Sequence, residues 1–321
     1  MTIWCNGPFG AEALGLLYEG VKGHTLVVSE QAVASVLVAG KPDPALAEAD
    51  IAFGQPDPEA CIANPRIKWV SVTTAGYTRY DTERFKEAMR ARGTLFTNAS
   101  GVYSDPCAQH VLAMMLALGR QLLASYGTQL GDRSWPYGER RGASVLLTGQ
   151  TVVFLGFGAI GRRLSELLKP FGMQIYALRR QVRSEPGVRI FPEEDLTRVL
   201  PLADHVVNLL PENDETRNYV NRRRLDCLKR GARFYNVGRG ATVDQPALVE
   251  ALQSGRLGAA YLDVMEPEPL PVDHPLWSTP NCYITPHSAG GEAHQDRIVV
   301  RHFLRNFSAY QRGEPLEDRI L

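Results

Sequence analysis

Short β-rich runs alternate with longer amphipathic stretches from the beginning of the chain. HTLVVS, ADIAFG, KWVSVTT and TLFTNA read as strands, and residues 80–91, between the last two, read as a helix. Alternation of this kind marks parallel α/β architecture. In SDPCAQHVLAMMLALGRQLL the pattern changes: Ser104 suits an N-cap, Pro106 a first turn, and apolar residues recur at helical spacing, so a long helix is expected to begin there. Residues 127–149 are rich in Gly, Arg and aromatics without clear period and read as an extended arm. A second alternating run opens at TVVFLGFG. Its expected strands are TVVFLG, MQIYAL, VRIF, DHVVNLLP, ARFYNVG, AAYLDV and CYITP, with helices between most of them, the pattern of a doubly wound sheet. A last helix over about 292–312 would carry the chain back to the first domain.

Composition narrows the picture. A chain of 321 residues is long enough for two domains of the usual size, roughly 100 to 200 residues each. Its 35 basic and 35 acidic residues cancel, so nothing in the overall charge points to nucleic acid or a membrane surface, and a small-molecule partner is expected. The five cysteines are scattered, with no CxxC and no His/Cys cluster at metal-ligand spacing; they read as reduced thiols, and no metal is expected. MTIWCNGPFG lacks a basic region followed by an apolar run, and the longest apolar stretch, 111–118, is too short to span a bilayer. A cytoplasmic location is the resulting expectation.

Gly156, Gly158 and Gly161 form GxGxxG directly after the apolar strand TVVFL and directly before a helical segment, the context that gives this motif meaning. The first glycine allows a tight turn, the second a close approach of backbone to pyrophosphate, and the third close packing of helix on strand, with Ala159 and Ile160 between them at the helix N-terminus. Where an NAD site would place an acid at the end of the next strand stand Arg179 and Arg180. A carboxylate repels a 2′-phosphate, whereas a guanidinium offers it a charge-matched fork of donors, so NADP(H) is expected in preference to NAD(H). The alternative is two arginines that end a strand in solvent.

Further along, NVGRG, LDVMEPEPLP and ITPHSAGG each follow an expected strand, which brings Arg239, Glu268 and His287 to strand C-terminal ends, the rim where open α/β sheets hold ligands. Singly, these could be a surface ion-pair partner, a loop acid between prolines and a turn residue. Together they match what reduction of a 2-keto acid needs. Arginine binds a carboxylate and a polarised keto oxygen without losing its charge, histidine gives or takes a proton near neutral pH, and a carboxylate beside the imidazole favours its charged form. The other histidines considered, His24, His110, His205 and His274, read as structural.

These motifs resemble those of the D-isomer-specific 2-hydroxyacid dehydrogenase family. NASGVYSDPCAQHVLAMMLALGR, VVNLLPENDETRNYVN and DHPLW extend the resemblance over nearly the whole chain. It implies a flavodoxin-like substrate domain from residues 1–101 and 290–321, an inserted Rossmann domain at 102–289, and a homodimer formed through the long helix and arm at 104–149. By motif match the catalytic Arg, Glu and His fall on Arg239, Glu268 and His287; Glu268 is preferred to Glu266 because it directly precedes Pro-Leu-Pro. Leu210, Pro211, Val237, Gly238 and Asp263, at or just past the ends of expected strands, complete the expected cofactor-binding set. Substrate binding is implied for Ala75 and Gly76 in TTAGYTRYD, together with Arg239 and His287.

Two positions depart from the family pattern. Gln109 replaces a frequent glutamate, with an expected effect on the local helix start, and Arg179 resembles the NADPH-linked glyoxylate/hydroxypyruvate reductases. Trp135 is expected to pack within the arm, the alternative being that it reaches the partner's active site across a dimer. The implied activity is NADP(H)-dependent reduction of a small 2-keto acid to the 2-hydroxy acid. Formate oxidation is disfavoured because those enzymes carry Gln where Glu268 stands. The alternative from another class is a nucleotide-sensing protein like the corepressors that share this fold.

Overall fold

The structure, a computed structural model, describes residues 1–33 and 43–321. The chain divides into two compact units, one of Met1–Tyr103 with Gly291–Leu321, the other Ser104–Gly290.

The first unit is built on five parallel strands, β1 (Thr2–Cys5), β2 (Thr25–Val28), β3 (Ile51–Gly54), β4 (Trp69–Val72) and β5 (Leu95–Thr97), in the order β2-β1-β3-β4-β5. That is the flavodoxin-like winding. The helix expected from residue 80 starts at Glu83, because Thr82 Oγ1 caps Phe85 N at 3.2 Å while Tyr80 turns inward to donate its hydroxyl to Pro56 O at 2.7 Å. It ends at Gly93, whose φ of +66° only glycine adopts without strain. Strand β1 and the helix Ala11–Gly20 fell outside the expected elements. The last helix, Gln295–Arg312, closes this unit's core: the Phe303 ring stacks on Phe53 at 4.0 Å and on Trp69 at 5.1 Å between centroids.

The second unit holds seven parallel strands, β6 (Thr151–Leu155), β7 (Gln174–Leu178), β8 (Arg189–Phe191), β9 (His205–Asn208), β10 (Ala232–Asn236), β11 (Leu257–Leu262) and β12 (Cys282–Ile284), in the order β12-β11-β10-β9-β6-β7-β8. Winding runs outward in both directions from the neighbours β6 and β9, so the crevice at their C-terminal ends is the topological switch point. The fold is therefore α/β, a Rossmann-type doubly wound unit set within a flavodoxin-like one. His205 sits inside β9 as a structural residue: Gln150 Oε1 and the Tyr235 hydroxyl satisfy its ring at 2.7 and 3.0 Å, and burial pushes its pKa down to about 3, so it is neutral.

Three expectations are corrected. The long helix is Ser100–Gly119, so it starts before Ser104 and Pro106 lies inside it rather than in its first turn. Its earlier start follows from acceptors no local pattern reveals: Asn98 Oδ1 takes Ser100 N at 3.2 Å, and Asp318 Oδ2 takes Gly101 N at 2.7 Å. Gln109 accordingly lies well inside the helix and donates to Asp105, which also receives Arg163. The stretch read as an extended arm takes in the end of the helix Leu122–Leu130 and all of the helix Tyr137–Ala143, and Trp135 does not pack within it but is 89% exposed. Among the described residues no single helix is long and apolar enough to cross a membrane, and no group of His, Cys, Asp or Glu is disposed to hold a metal.

Candidate active site

Three adjacent strands end at the site. A loop leaving β10 carries Arg239, one leaving β11 carries Glu268, and one leaving β12 carries His287. The first loop is held by buried polar side chains that the sequence reading did not single out. Asn208 at the end of β9 donates to Asn236 Oδ1 at 3.0 Å and to Thr242 Oγ1 at 2.6 Å; Asn236 and Thr242 donate in turn to the Arg239 carbonyl at 3.2 and 2.6 Å. Their signal was an asparagine closing each of two apolar strands, VVN and FYN. Such groups tolerate burial only when paired, and here the pairing sets the loop.

Glu268 accepts the Met265 amide at 2.9 Å through Oε1, and its Oε2 lies 2.7 Å from His287 Nδ1. Burial alone would raise the Glu268 carboxyl, but the hydrogen bonds from His287 and Met265 and the charges of His287 and Arg239 bring it below its ordinary value. The same hydrogen bond raises His287 against the opposing effect of burial. With Nδ1 engaged by the carboxylate, Nε2 is the nitrogen left to face a ligand. Arg239 is lowered by burial, with Glu212 and then Glu268 supporting its charge; an arginine so placed stays cationic.

His287 adopts a left-handed backbone, φ +51°, uncommon for a residue with a Cβ. Asp263 enforces it. Its carbonyl takes His287 N at 2.9 Å, and its carboxylate, only 2% exposed as a residue, takes Ser288 N at 2.8 Å, Ala289 N at 3.0 Å and Thr285 Oγ1 at 2.5 Å. What the structure shows of Asp263 is thus a carboxylate that fastens the histidine loop.

A pH dependence follows from the Glu268–His287 pair. A reaction in which the His287 imidazole gives a proton would slow as pH rises through its pKa, which Glu268 holds above the ordinary value. Glu268→Gln removes the charge that raises it; the alkaline limb of kcat against pH is expected to move to lower pH. An unmoved limb would separate Glu268 from the titration of His287.

The glycine loop fits a dinucleotide. Gly156 has φ +86°, and a Cβ there would lie 3.3 Å from the Leu209 backbone; at Gly161 it would lie 2.8 Å from the Phe157 ring. At Gly158 a Cβ would meet nothing within 4 Å, so the space before the helix Ala159–Leu168 is open, and Gly158 at its N-cap has no side chain with which to occupy the first amides. Across the switch point, a Cβ at Gly238 would stand 2.8 Å from Leu210 O, which draws the loops bearing Leu210–Pro211 and Val237–Gly238 together. These residues could hold the pyrophosphate and what lies beyond it. Past the end of β7, Arg179 Nη1 pairs with Glu185 at 3.1 Å and Arg180 Nη2 with Glu215 at 2.8 Å. Neither carboxylate was foreseen, nor was Arg162, which also reaches Glu185. Ala75 and Gly76 lie in the other unit, after β4. Their carbonyls accept from Asn98 Nδ2 at 2.7 Å and Thr74 Oγ1 at 2.6 Å, bonds that fix the loop.

Residues 112–289 match the family model described as "D-isomer specific 2-hydroxyacid dehydrogenase, NAD binding domain". Among similar proteins, a glyoxylate reductase of Aeropyrum pernix is 33% identical over 261 residues, 78% of this chain and 75% of that one. A glyoxylate/hydroxypyruvate reductase B of Serratia proteamaculans is 32% identical over 73% of this chain and 71% of its own. The crystal structure of a D-isomer specific 2-hydroxyacid dehydrogenase from Xanthobacter autotrophicus Py2 in complex with NADPH and MES superposes with a TM-score of 0.80, at 28% identity, over 100% of this chain and 98% of that one. The chain belongs to the D-isomer specific 2-hydroxyacid dehydrogenase family. It is an oxidoreductase that uses a nicotinamide dinucleotide and a small hydroxy or keto acid.

Proposed function

We propose that this chain reduces a small 2-keto acid, of the size of glyoxylate or hydroxypyruvate, to the 2-hydroxy acid with NADPH as the preferred reductant. The observation that carries the reading is the Glu268–His287 hydrogen bond at the rim of the sheet, one strand over from Arg239. The names of the reductases above and the NADPH held by the Xanthobacter neighbour support it.

The reduced nicotinamide, when bound, supplies the hydride to the keto carbon. Arg239 binds the substrate carboxylate and polarises the keto oxygen through its guanidinium, and His287 Nε2 gives that oxygen its proton. Glu268 keeps the imidazole charged and aimed through Nδ1. The amides of Ala75 and Gly76 are assigned to the substrate carboxylate as well, and Leu210, Pro211, Val237, Gly238 and Asp263 to the cofactor. The first unit is read as the substrate domain and the second as the dinucleotide domain. Exposed Leu122, Tyr126, Leu130, Trp135, Tyr137 and Leu146 support a homodimer formed through this region, since a patch of this kind is normally covered by a partner. All five cysteines are free, which suits a reducing cytoplasm.

Initial rates with NADPH and NADH against glyoxylate, hydroxypyruvate, pyruvate and bulkier 2-keto acids test the reading. Fast turnover of a small acid with NADPH supports it, whereas nucleotide binding without turnover points to the sensing alternative. Arg179→Asp is expected to move the NADPH/NADH ratio of kcat/KM toward NADH by about ten- to a hundredfold, the value of a lost charge-assisted contact. An unchanged ratio removes Arg179 from cofactor choice.

A further inference from the structure

Arg162 lies in the first turn of the helix after the glycine motif and Arg179 directly follows β7, yet both guanidiniums converge on a single atom. Glu185 Oε1 receives Arg162 Nε at 3.2 Å, Arg162 Nη2 at 2.9 Å and Arg179 Nη1 at 3.1 Å. Two cations brought this close repel unless an anion lies between them. Glu185 supplies one negative charge, which leaves one positive charge in excess.

The backbone at Glu185 is pinned by a tight turn. Pro186 presets the second position, Gly187 at φ +75° takes the third, and Val188 N closes the turn on Glu185 O at 3.2 Å. Rotation of one flexible side chain, 19% exposed, is therefore enough to vacate the site without rebuilding the loop. Arg162 is held from the other side, its guanidinium 5.9 Å from the centre of the Phe157 ring in the glycine loop.

We propose that Arg162 and Arg179 form one site for a phosphomonoester dianion and that Glu185 is its displaceable internal occupant, so that Glu185 sets how strongly a 2′-phosphorylated dinucleotide is favoured. This rests on the NADP(H) reading above. A phosphomonoester carries about −1.5 to −2 charges and three acceptor oxygens, a closer match to two guanidiniums than one carboxylate. Glu185 competes because it is tethered beside the site. With no dinucleotide bound it also neutralises part of a charge pair that would otherwise be left unmatched.

The test uses ligands that cannot turn over. Adenosine 2′,5′-bisphosphate and 5′-AMP are titrated calorimetrically into the full chain, as wild type, Glu185→Gln and Arg162→Gln. The wild type is expected to favour the bisphosphate. Glu185→Gln should strengthen bisphosphate binding by about two- to fivefold, the scale of a partly exposed ion pair that no longer has to be broken. Arg162→Gln should weaken it by about tenfold or more. Affinity for 5′-AMP should hold in both variants, which also shows that they fold.

If Glu185→Gln weakens bisphosphate binding, Glu185 is a tie that aligns the arginines and the proposal is overturned. It is equally overturned if Arg162→Gln binds the bisphosphate as wild type does. A wild type indifferent to the 2′-phosphate removes the NADP(H) reading itself, whereas a wild type that prefers it, with both variants unchanged, removes only the roles of Glu185 and Arg162.

Discussion

Replacing His287 with alanine is expected to lower kcat for keto-acid reduction by roughly 10² to 10⁴, the range for loss of a general acid, with a much smaller change in KM for the dinucleotide. The reason is geometric. Glu268 engages Nδ1 at 2.7 Å, which fixes the ring and leaves Nε2 as the nitrogen to face a ligand. The loop that presents the ring does not depend on it, because the Asp263 carboxylate holds the amides of Ser288 and Ala289 whatever side chain stands at 287. One complication is the backbone at φ +51°, where alanine is strained by about 1 to 2 kcal/mol. Asparagine tolerates that region and cannot titrate, so His287→Asn should lose the same turnover while thermal unfolding stays near that of the wild type. Near-normal kcat in both variants would take His287 out of the reaction.

The second large effect is expected at Arg239. Arg239→Gln should lower kcat/KM for the keto acid by roughly a hundredfold, since a hydrogen bond to a charged group is worth about 1.5 to 3 kcal/mol and each 1.4 kcal/mol is tenfold. Arg239→Lys should recover little, because a point charge cannot reproduce a planar fork of donors. Both substitutions leave the loop in place: what Asn236 and Thr242 hold is the Arg239 carbonyl, which any residue provides. Steady-state kinetics with keto acid and NADPH varied in turn will separate the effects, and the dinucleotide KM should barely move. Equal losses for both ligands would mean that Arg239 supports the whole site rather than the acid.

How much of this could be read from the chain follows from where the information lies. Strands β3, β4 and β6 announced themselves because a strand buried along its whole length is a short, mostly apolar run, and the glycine motif did so because Gly156 and Gly161 meet local steric demands while Gly158 leaves open space before the helix. Arg239, Glu268 and His287 could be grouped from the amino-acid order alone because each follows a strand and strand ends share a rim. The start of the long helix could not, since Gly101 is met by Asp318 from the far end of the sequence. Nor could the Asn208–Asn236–Thr242 network, which joins the ends of β9 and β10 to the turn at Thr242, or the capture of Arg179 by Glu185, which needs the turn at Gly187 to bring an acid back over the strand end. Helices Leu122–Leu130 and Tyr137–Ala143 escaped notice because neither buries a single residue, so no apolar stripe marks them.

The stacking of Phe303 on Phe53 and Trp69 bears on how the protein is made. Chains leave the ribosome in sequence order, and domains generally fold as they emerge. Residues 1–103 emerge first but lack the helix Gln295–Arg312, so the apolar face around Phe53 and Trp69 stays uncovered while all of Ser104–Gly290 is synthesised. The continuous second unit can complete its sheet before the first unit closes. The nascent chain thus carries an open aromatic surface for most of its synthesis, the interval in which a holding chaperone has something to hold.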